Sequence, residues 1–144
     1  MARVYEFRTT DMINVSVIDN TKGIEFCLAK TSASVTYFSD EIKAFNVIEQ
    51  EQRSVILLNY SLLAEGTAEY IQLILARSLN SKVVIIGDDL SEGEILECLI
   101  AGAKGYQDEK ALSEYSEKLI GVIDAGEAWI TRRMVSTLLD VLRG

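Results

Sequence analysis

The sequence predicts one α/β domain with a doubly wound, mostly parallel sheet, and three observations carry this prediction. Short apolar runs alternate with amphipathic stretches along all 144 residues. Two of the runs, Val55–Leu58 and Val83–Ile86, are apolar without alternation, which is typical of strands buried on both faces. No proline and no Gly-rich or Ser-rich linker divides the chain, and its 49% apolar content suits a single core.

The first two βα units occupy the N-terminal third of the chain. Val15–Asp19 is predicted as a strand, and a helix follows from Gly23 to Thr31. Val35–Phe38 is β-branched and aromatic, which predicts the second strand. Ser39 or Asp40 then caps a helix with Ile42, Phe45 and Ile48 on its buried side.

Three further units follow the same order. Val55–Leu58 leads into a helix from Gly66 to Leu79, and Val83–Ile86 leads into a helix that starts in the capping box Ser91–Glu94. Gly102 ends that helix, Lys104–Gln107 is the fifth strand, and a helix runs from about Ser113 to Ala125, with Gly126 at its end. The predicted buried residues of these helices are Tyr70, Ile71, Ile74, Leu75, Ile95, Leu96, Cys98 and Leu99.

A last helix, capped by Thr131, is predicted to end at Leu142. Its apolar stripe is too continuous to stay solvated and is therefore a candidate interaction surface, unless it packs back on the parent domain. Arg132 and Arg133 oppose the dipole at its N-terminus, so they are expected to pair with an acidic surface of this domain or of a partner. The stripe consists of Ile130, Met134, Leu138 and Leu142, widened by Val135 and Leu139.

Composition and charge exclude several classes of function. The 22 acidic against 14 basic residues give a net charge of −8, which argues against a nucleic-acid surface. The chain has no histidine, so no Ser-His or Cys-His pair can form. Cys27 and Cys98 lack metal-ligand spacing and are expected to be buried small apolar residues in a reducing cytosol. Neither a signal peptide at the N-terminus nor a membrane span is predicted, which places the protein in the cytoplasm.

In such a fold a ligand crevice lies beyond the carboxyl ends of the strands. The stretches Val55–Leu63, Lys82–Gly87 and Ala101–Tyr106 resemble a bacterial response-regulator receiver domain. Ala125–Arg133 resembles the linker of the NarL/LuxR branch, which leads into a helix-turn-helix DNA-binding domain. The resemblance implies a flavodoxin-like (CheY-like) five-stranded sheet in the order 2-1-3-4-5, with an extra C-terminal helix. It divides the chain into a receiver-like domain (1–126) and a linker-type helix (127–144).

Most positions that carry the family's chemistry are altered. After strand one, where the family has an acidic pair, this sequence has Asp19 and Asn20. Asn59 stands for the phosphoacceptor aspartate, Gly87 for a hydroxyl side chain and Glu109 for a lysine. A carboxamide cannot attack phosphorus, Mg²⁺ prefers carboxylates, and a glutamate repels a phosphoryl group. The resemblance therefore implies a degenerate phosphorylation pocket without a metal or another cofactor.

Some alternatives stay open at the level of sequence. A bulge after strand five would put Lys110 rather than Glu109 at the lysine position. Asn59 is expected to hydrogen-bond neighbouring backbone rather than a ligand. Tyr106 matches the aromatic switch position of the family, although a core role fits as well. A small ligand between Asp19, Asn59 and Glu109 is neither supported nor excluded. A cation held by Asp19, Asp88 and Glu109 is disfavoured against an empty acidic crevice with raised pKa values.

The first functional hypothesis is a phosphorylation-independent pseudo-receiver that acts by dimerisation or by contact with a partner protein. The second is the receiver part of a LuxR-type transcriptional regulator whose DNA-binding domain is absent from this chain. The third, a flavodoxin-like ligand-binding protein or enzyme, is disfavoured, because the loop Asp19–Gly23 holds a single glycine and no nucleophile–base pair with histidine exists. We expect no catalytic residues, no nucleic-acid or membrane binding, and a homodimer or a protein partner.

Overall fold

Five parallel strands form a single sheet in the order β2-β1-β3-β4-β5. The structure, a computed structural model, describes residues 13–144. The prediction that the N-terminus is no signal peptide concerns residues 1–12, which lie outside the described part. The strands are β1 (Asn14–Ile18), β2 (Ser34–Phe38), β3 (Val55–Asn59), β4 (Lys82–Gly87) and β5 (Gly105–Asp108). This confirms the predicted topology.

Seven α-helices of the described chain cover the sheet. They are α1 (Gly23–Cys27), α2 (Glu41–Glu51), α3 (Tyr60–Leu63), α4 (Thr67–Arg77), α5 (Glu92–Ile100), α6 (Glu109–Asp124) and α7 (Arg132–Arg143), and a 3₁₀ turn (Ala64–Gly66) joins α3 to α4. The predicted capping box of α5 is formed by Ser91 and Glu94, and Thr131 caps α7 as predicted. The extra C-terminal helix is thereby confirmed.

Two hydrophobic clusters lie on opposite faces of the sheet, as expected for a doubly wound fold. One cluster joins α2, α4, α5 and the start of α7 to the sheet, and the other joins α1 and α6 to it. β3 is buried along its whole length, and β4 is buried except at Lys82. The continuous apolar runs of these strands are explained by helices on both faces.

Several local predictions are wrong. α1 ends at Cys27 rather than at Thr31, and Ile42 is 66% exposed, because Ala44 and Ile48 supply the buried side of α2. The helix predicted to reach Leu79 ends at Arg77, and the side chain of Leu79 is 83% exposed. The helix predicted from Ser113 already begins at Glu109, because Asp108 caps it directly after β5.

No helix in the described part of the chain is long and apolar enough to cross a membrane.

Candidate functional site

Asp19 forms the centre of the crevice at the carboxyl end of β1. Its side chain is 9% exposed, and Oδ1 accepts hydrogen bonds from the backbone N–H of Thr21 (3.0 Å) and from Asn59 Nδ2 (2.8 Å). Oδ2 accepts from the backbone N–H of Ile24 (3.1 Å), and the Thr21 hydroxyl lies 2.8 and 3.1 Å from the two carboxylate oxygens. Burial raises the pKa of Asp19, but the hydrogen bonds outweigh burial and hold it below its usual value.

Asn59 lies at the carboxyl end of β3, directly opposite Asp19. Its Nδ2 donates to Asp19, while its Oδ1 accepts from the backbone N–H of Ser61 (3.0 Å) and from the Ser61 hydroxyl (2.9 Å). Asn59 thus caps α3. A carboxamide satisfies both neighbours, whereas an ionised carboxylate has no proton to donate to Asp19.

Gly87 ends β4 beneath the side chain of Leu90. The chain turns at Asp89, which adopts φ 54°, and a Cβ added to Gly87 would lie 2.5 Å from Leu90 Cγ. A hydroxyl-bearing side chain at position 87 would therefore require Leu90 to move. Asp108 supports this turn, because its Oδ2 accepts the backbone N–H of Asp89 at 2.9 Å.

Glu109 begins α6 and faces the start of α1. Its carboxylate packs so closely against Gly23 that a Cβ there would lie 2.7 Å from Glu109 Oε1. Burial, followed by the charges of Asp19, Asp88 and Asp108, raises the pKa of Glu109.

Lys110 lies outside this crevice. β5 pairs with β4 residue by residue up to Gly87 and Asp108, so the bulge that would have moved Lys110 into the lysine position is absent. The side chain of Lys110 is exposed, with its Nζ 3.7 Å from Asp88 Oδ1. Asn20 is exposed in the loop beside Asp19.

The residues of this crevice do not fit a Mg²⁺ ion. Both carboxylate oxygens of Asp19 are engaged by N–H and O–H donors, and the amide of Asn59 turns its NH₂ group toward Asp19. Within residues 13–144 no group of three His, Cys, Asp or Glu side chains could hold a metal ion. The crevice brings together Asp19, Asn59 and Glu109, and Asp19 and Asn59 form their hydrogen bonds with groups of this chain.

Tyr106 of β5 is half-buried. Its hydroxyl is 3.4 Å from the Gly87 carbonyl oxygen and 3.3 Å from Asp108 Oδ2. Burial and the nearby charge of Asp108 raise the pKa of Tyr106 to about 12. The side chain also packs against the apolar cluster that contains Ile95 and Met134, which agrees with a core role, whereas the role of an aromatic switch stays a prediction.

Residues Ala128–Ile130, here called the strap, run along the outer edge of β5. The backbone N–H of Trp129 donates to the Lys104 carbonyl (2.9 Å), and the N–H of Tyr106 donates to the Trp129 carbonyl (3.1 Å). The Trp129 indole N–H donates to Gln107 Oε1 at 3.0 Å. The strap thus adds a parallel bridge to the sheet and carries the chain into α7.

The predicted stripe of α7 is divided between two environments. Met134 is 8% exposed and belongs to the core cluster, and Ile130 packs against that cluster. Leu138 is half-buried, whereas Leu142 is 67% exposed. Arg133 reaches Glu92 of α5 with an Nη2–Oε2 distance of 3.3 Å, which gives it the acidic partner on this domain that its position suggested.

Sequence reasoning did not identify the supporting residues of the crevice. Thr21 could have been suspected, because a threonine two positions after an aspartate is typical of a side-chain-capped turn. Leu90 gave no such signal, because its position over Gly87 depends on the left-handed backbone of Asp89. The Trp129–Gln107 contact joins separate elements and could not be inferred from local pattern.

No protein-family model and no curated protein matches the sequence. The chain is similar to the isolated REC domain of RcsB from Salmonella enterica serovar Typhimurium, with a TM-score of 0.74 and 17% identity over 89% of this chain and 98% of that one. It is also similar to a LuxR-family two-component response regulator from an Aurantimonas species (TM-score 0.72, 14% identity, 91% and 98% covered). A response regulator from Thermotoga maritima gives a TM-score of 0.70 at 19% identity, with 78% and 98% covered. The chain therefore has the fold of response-regulator receiver domains.

Proposed function

We propose that this chain is an atypical receiver domain that works in signal transduction without being phosphorylated, through contact with another protein. The observation that carries the proposal is the hydrogen bond from Asn59 Nδ2 to Asp19, at the place where receivers have their phosphoacceptor. A carboxamide neither ionises nor attacks phosphorus, so aspartyl-phosphate formation at this position is chemically blocked. We propose no catalytic residue and no cofactor for this chain.

The surroundings of Asn59 support the same conclusion. Leu90 covers Gly87, which has no hydroxyl, and Glu109 places negative charge where a phosphoryl group would need a cation. Burial, and after it repulsion by Asp19, Asp88 and Asp108, raises the pKa of Glu109, and the same carboxylates would repel phosphate. The negative charges of the crevice therefore act against binding an anion.

The surface proposed for protein contact is the outer face of α7. Val135, Leu139 and Leu142 are 38%, 45% and 67% exposed, and they recur at the spacing of one helical face. Exposed apolar side chains in such a row are typical of a surface that a protein partner covers. The segment from Glu127 to Gly144 has three arginines against two acids, which suits an acidic surface on a partner protein.

A second candidate is the receiver part of a LuxR-type transcriptional regulator, a cytoplasmic protein with its DNA-binding domain outside this chain. The likeness to a LuxR-family response regulator over 91% of this chain favours it. The net charge of −8 argues against direct DNA contact by this chain. Reading the native gene past the codon for Gly144 separates the two candidates, because only the second requires a basic helix-turn-helix segment there.

The test of the proposal uses beryllofluoride and acetyl phosphate, each with Mg²⁺. We expect that neither changes the amide NMR spectrum or the oligomeric mass of the chain, because Asn59 cannot accept the group and Glu109 repels it. A conventional receiver domain treated in parallel shows that the reagents are active.

The matched control is Asp19→Asn, which removes the remaining carboxylate of the crevice. A saturable, Mg²⁺-dependent change in the unaltered chain that disappears in Asp19→Asn would overturn the proposal. A change that persists in Asp19→Asn arises elsewhere on the protein and leaves the proposal standing.

A further inference from the structure

The two edges of the sheet differ in the described part of the chain. The edge at β5 is covered by the strap, whose residue Trp129 bonds to the backbone of Lys104 and Tyr106. The opposite edge is β2, which pairs with β1 on its inner side only. An open edge presents unpaired N–H and C=O groups and is a template for another strand.

The backbone N–H and C=O groups of successive residues point to opposite edges of a strand, which identifies the groups of β2 that point away from the sheet. The N–H of Ser34 donates to the Ile13 carbonyl (3.0 Å), and the Phe38 carbonyl accepts from the N–H of Asp19 (2.9 Å). Ser34, Thr36 and Phe38 therefore face β1, because successive residues of a strand alternate in direction. The N–H and C=O groups of Val35 and Tyr37 point away from the sheet, and no other residue in 13–144 pairs with them.

The side chains along this edge lack the usual protection against pairing. The strand sequence Ser-Val-Thr-Tyr-Phe contains neither a charge nor a proline, which natural edges commonly use to prevent association. Tyr37 is 40% exposed and Phe26 of α1 is 82% exposed, and both line a groove along β2 together with Val35. The groove also contains Lys22 and Glu25, but the strand itself has no charge, and such an edge strand is suited to pairing with an additional strand.

We propose that β2 pairs antiparallel with β2 of a second copy of this chain, with the two-fold axis at Thr36. The two five-stranded sheets then form one continuous sheet. This assembly goes beyond the proposed function and leaves the outer face of α7 free for a different protein. A two-fold axis between identical edges requires the antiparallel orientation, and it closes the assembly at two copies.

The register follows from the groups that point outward. With Thr36 opposite Thr36, Val35 of each copy exchanges both backbone hydrogen bonds with Tyr37 of the other. Threonine pairs and pairs of an aromatic with a β-branched residue are both favourable cross-strand neighbours.

The charges that flank β2 favour a second copy of this chain as the partner of this edge. Lys30 precedes β2, and Asp40 and Glu41 follow it. In the antiparallel pair, Lys30 of one copy lies beside the end of the strand that carries Asp40 and Glu41 in the other, and the same contact recurs at the second end. A parallel neighbour would instead bring like charges together.

Cross-linking tests the register directly. Residues opposite each other in a non-hydrogen-bonded antiparallel pair have Cα atoms about 4.5 Å apart, within disulfide range. Thr36→Cys is therefore expected to form a reducible covalent dimer under mild oxidation. The matched control, Ser34→Cys, puts the two thiols about 13 Å apart and is expected to behave like the unaltered chain with its native Cys27 and Cys98. Equal cross-linking of both variants, or of neither, would overturn the proposal.

Sedimentation of the full chain over a range of concentrations measures its mass and tests whether the β2 edge forms the dimer interface. We expect a dimer whose dissociation constant rises by about tenfold or more in Tyr37→Lys, because a charge then lies at each end of the pair. Leu73→Lys alters an exposed apolar residue of α4, outside both proposed surfaces, and is expected to leave the dimer unchanged.

A monomer at all concentrations, or a dimer lost in Leu73→Lys and kept in Tyr37→Lys, would contradict the proposal. Circular dichroism verifies the fold of each variant, and the Thr36→Cys cross-link decides the question if Tyr37→Lys unfolds. The response to beryllofluoride does not depend on these outcomes. The proposal of a β2 dimer can therefore be wrong while the proposed function holds, and the reverse.

Discussion

At Gly105 two stretches of backbone approach so closely that no side chain fits between them. A Cβ at this position would lie 2.3 Å from the Trp129 carbonyl oxygen. The glycine is therefore required by the strap and not by its own backbone angles. Neighbouring residues of β5 bind the strap through Tyr106 N–H and Gln107 Oε1.

We expect Gly105→Ala to lower the free energy of unfolding by about 1–3 kcal/mol, as overpacking typically does. Gly121→Ala, in the interior of α6 with open space around it, is the control and should instead stabilise by about 0.5–1 kcal/mol. Urea denaturation measures both. Equal effects of the two substitutions would show that the strap does not contact Gly105.

Glu109 makes stability depend on pH in a direction opposite to that of Asp19. The pKa of Asp19 is lowered in the folded state, so its contribution is present near neutral pH and is lost in strong acid. The pKa of Glu109 is raised, so its ionised form destabilises the fold at neutral pH, and this effect is relieved as the pH falls through the raised pKa.

Glu109→Gln is therefore expected to raise the melting temperature at pH 7, with a gain that shrinks as the pH approaches 4. Glu114→Gln, further along α6, provides the control for loss of one negative charge. A gain that is independent of pH, or equal in both variants, would contradict the assignment of repulsion to Asp19, Asp88 and Asp108.

At the scale of elements, α7 has one packed face and one exposed face. Met134 joins the core cluster, and the Thr137 hydroxyl lies 3.0 Å from Glu92 Oε1 of α5. The Arg133–Glu92 ion pair adds little, because the side chain of Arg133 is 83% exposed. Burial of Met134 is thus the main attachment of the helix.

We expect Met134→Ala to destabilise the protein by about 2 kcal/mol and to speed hydrogen exchange along α7. Leu142→Ala, at a residue that is 67% exposed, should change stability by less than about 0.5 kcal/mol. Hydrogen exchange read by mass spectrometry measures both variants. Slow exchange of α7 in Met134→Ala would show that another contact holds the helix.

At the scale of the whole molecule, the apolar runs were sufficient to predict the sheet and its two covering layers. Runs such as Val55–Leu58 identify buried strands from the sequence alone, because burial on both faces removes the alternation of apolar and polar residues. The capping residues Ser91 and Thr131 also predicted the starts of α5 and α7 correctly. α3 was not predicted, because its four residues are too few to show a helical period in the sequence.

The candidate site was predicted in outline only. Because parallel strands end at a common edge, the sequence could place Asp19, Asn59 and Glu109 in one crevice. It could not show that Thr21 and Ile24 occupy the remaining acceptor positions of Asp19, nor that Leu90 fills the space above Gly87. Those contacts depend on side-chain packing and on the backbone turn at Asp89.

The strap has one more consequence. Trp129 is the single tryptophan of the chain, and its indole lies between Gln107 and the ring of Tyr115, with the ring centroids 6.2 Å apart. Its fluorescence therefore reports on the contact of the strap with β5 and α6. A red shift that precedes the loss of far-ultraviolet circular dichroism would mark release of the C-terminal segment while the sheet is still folded.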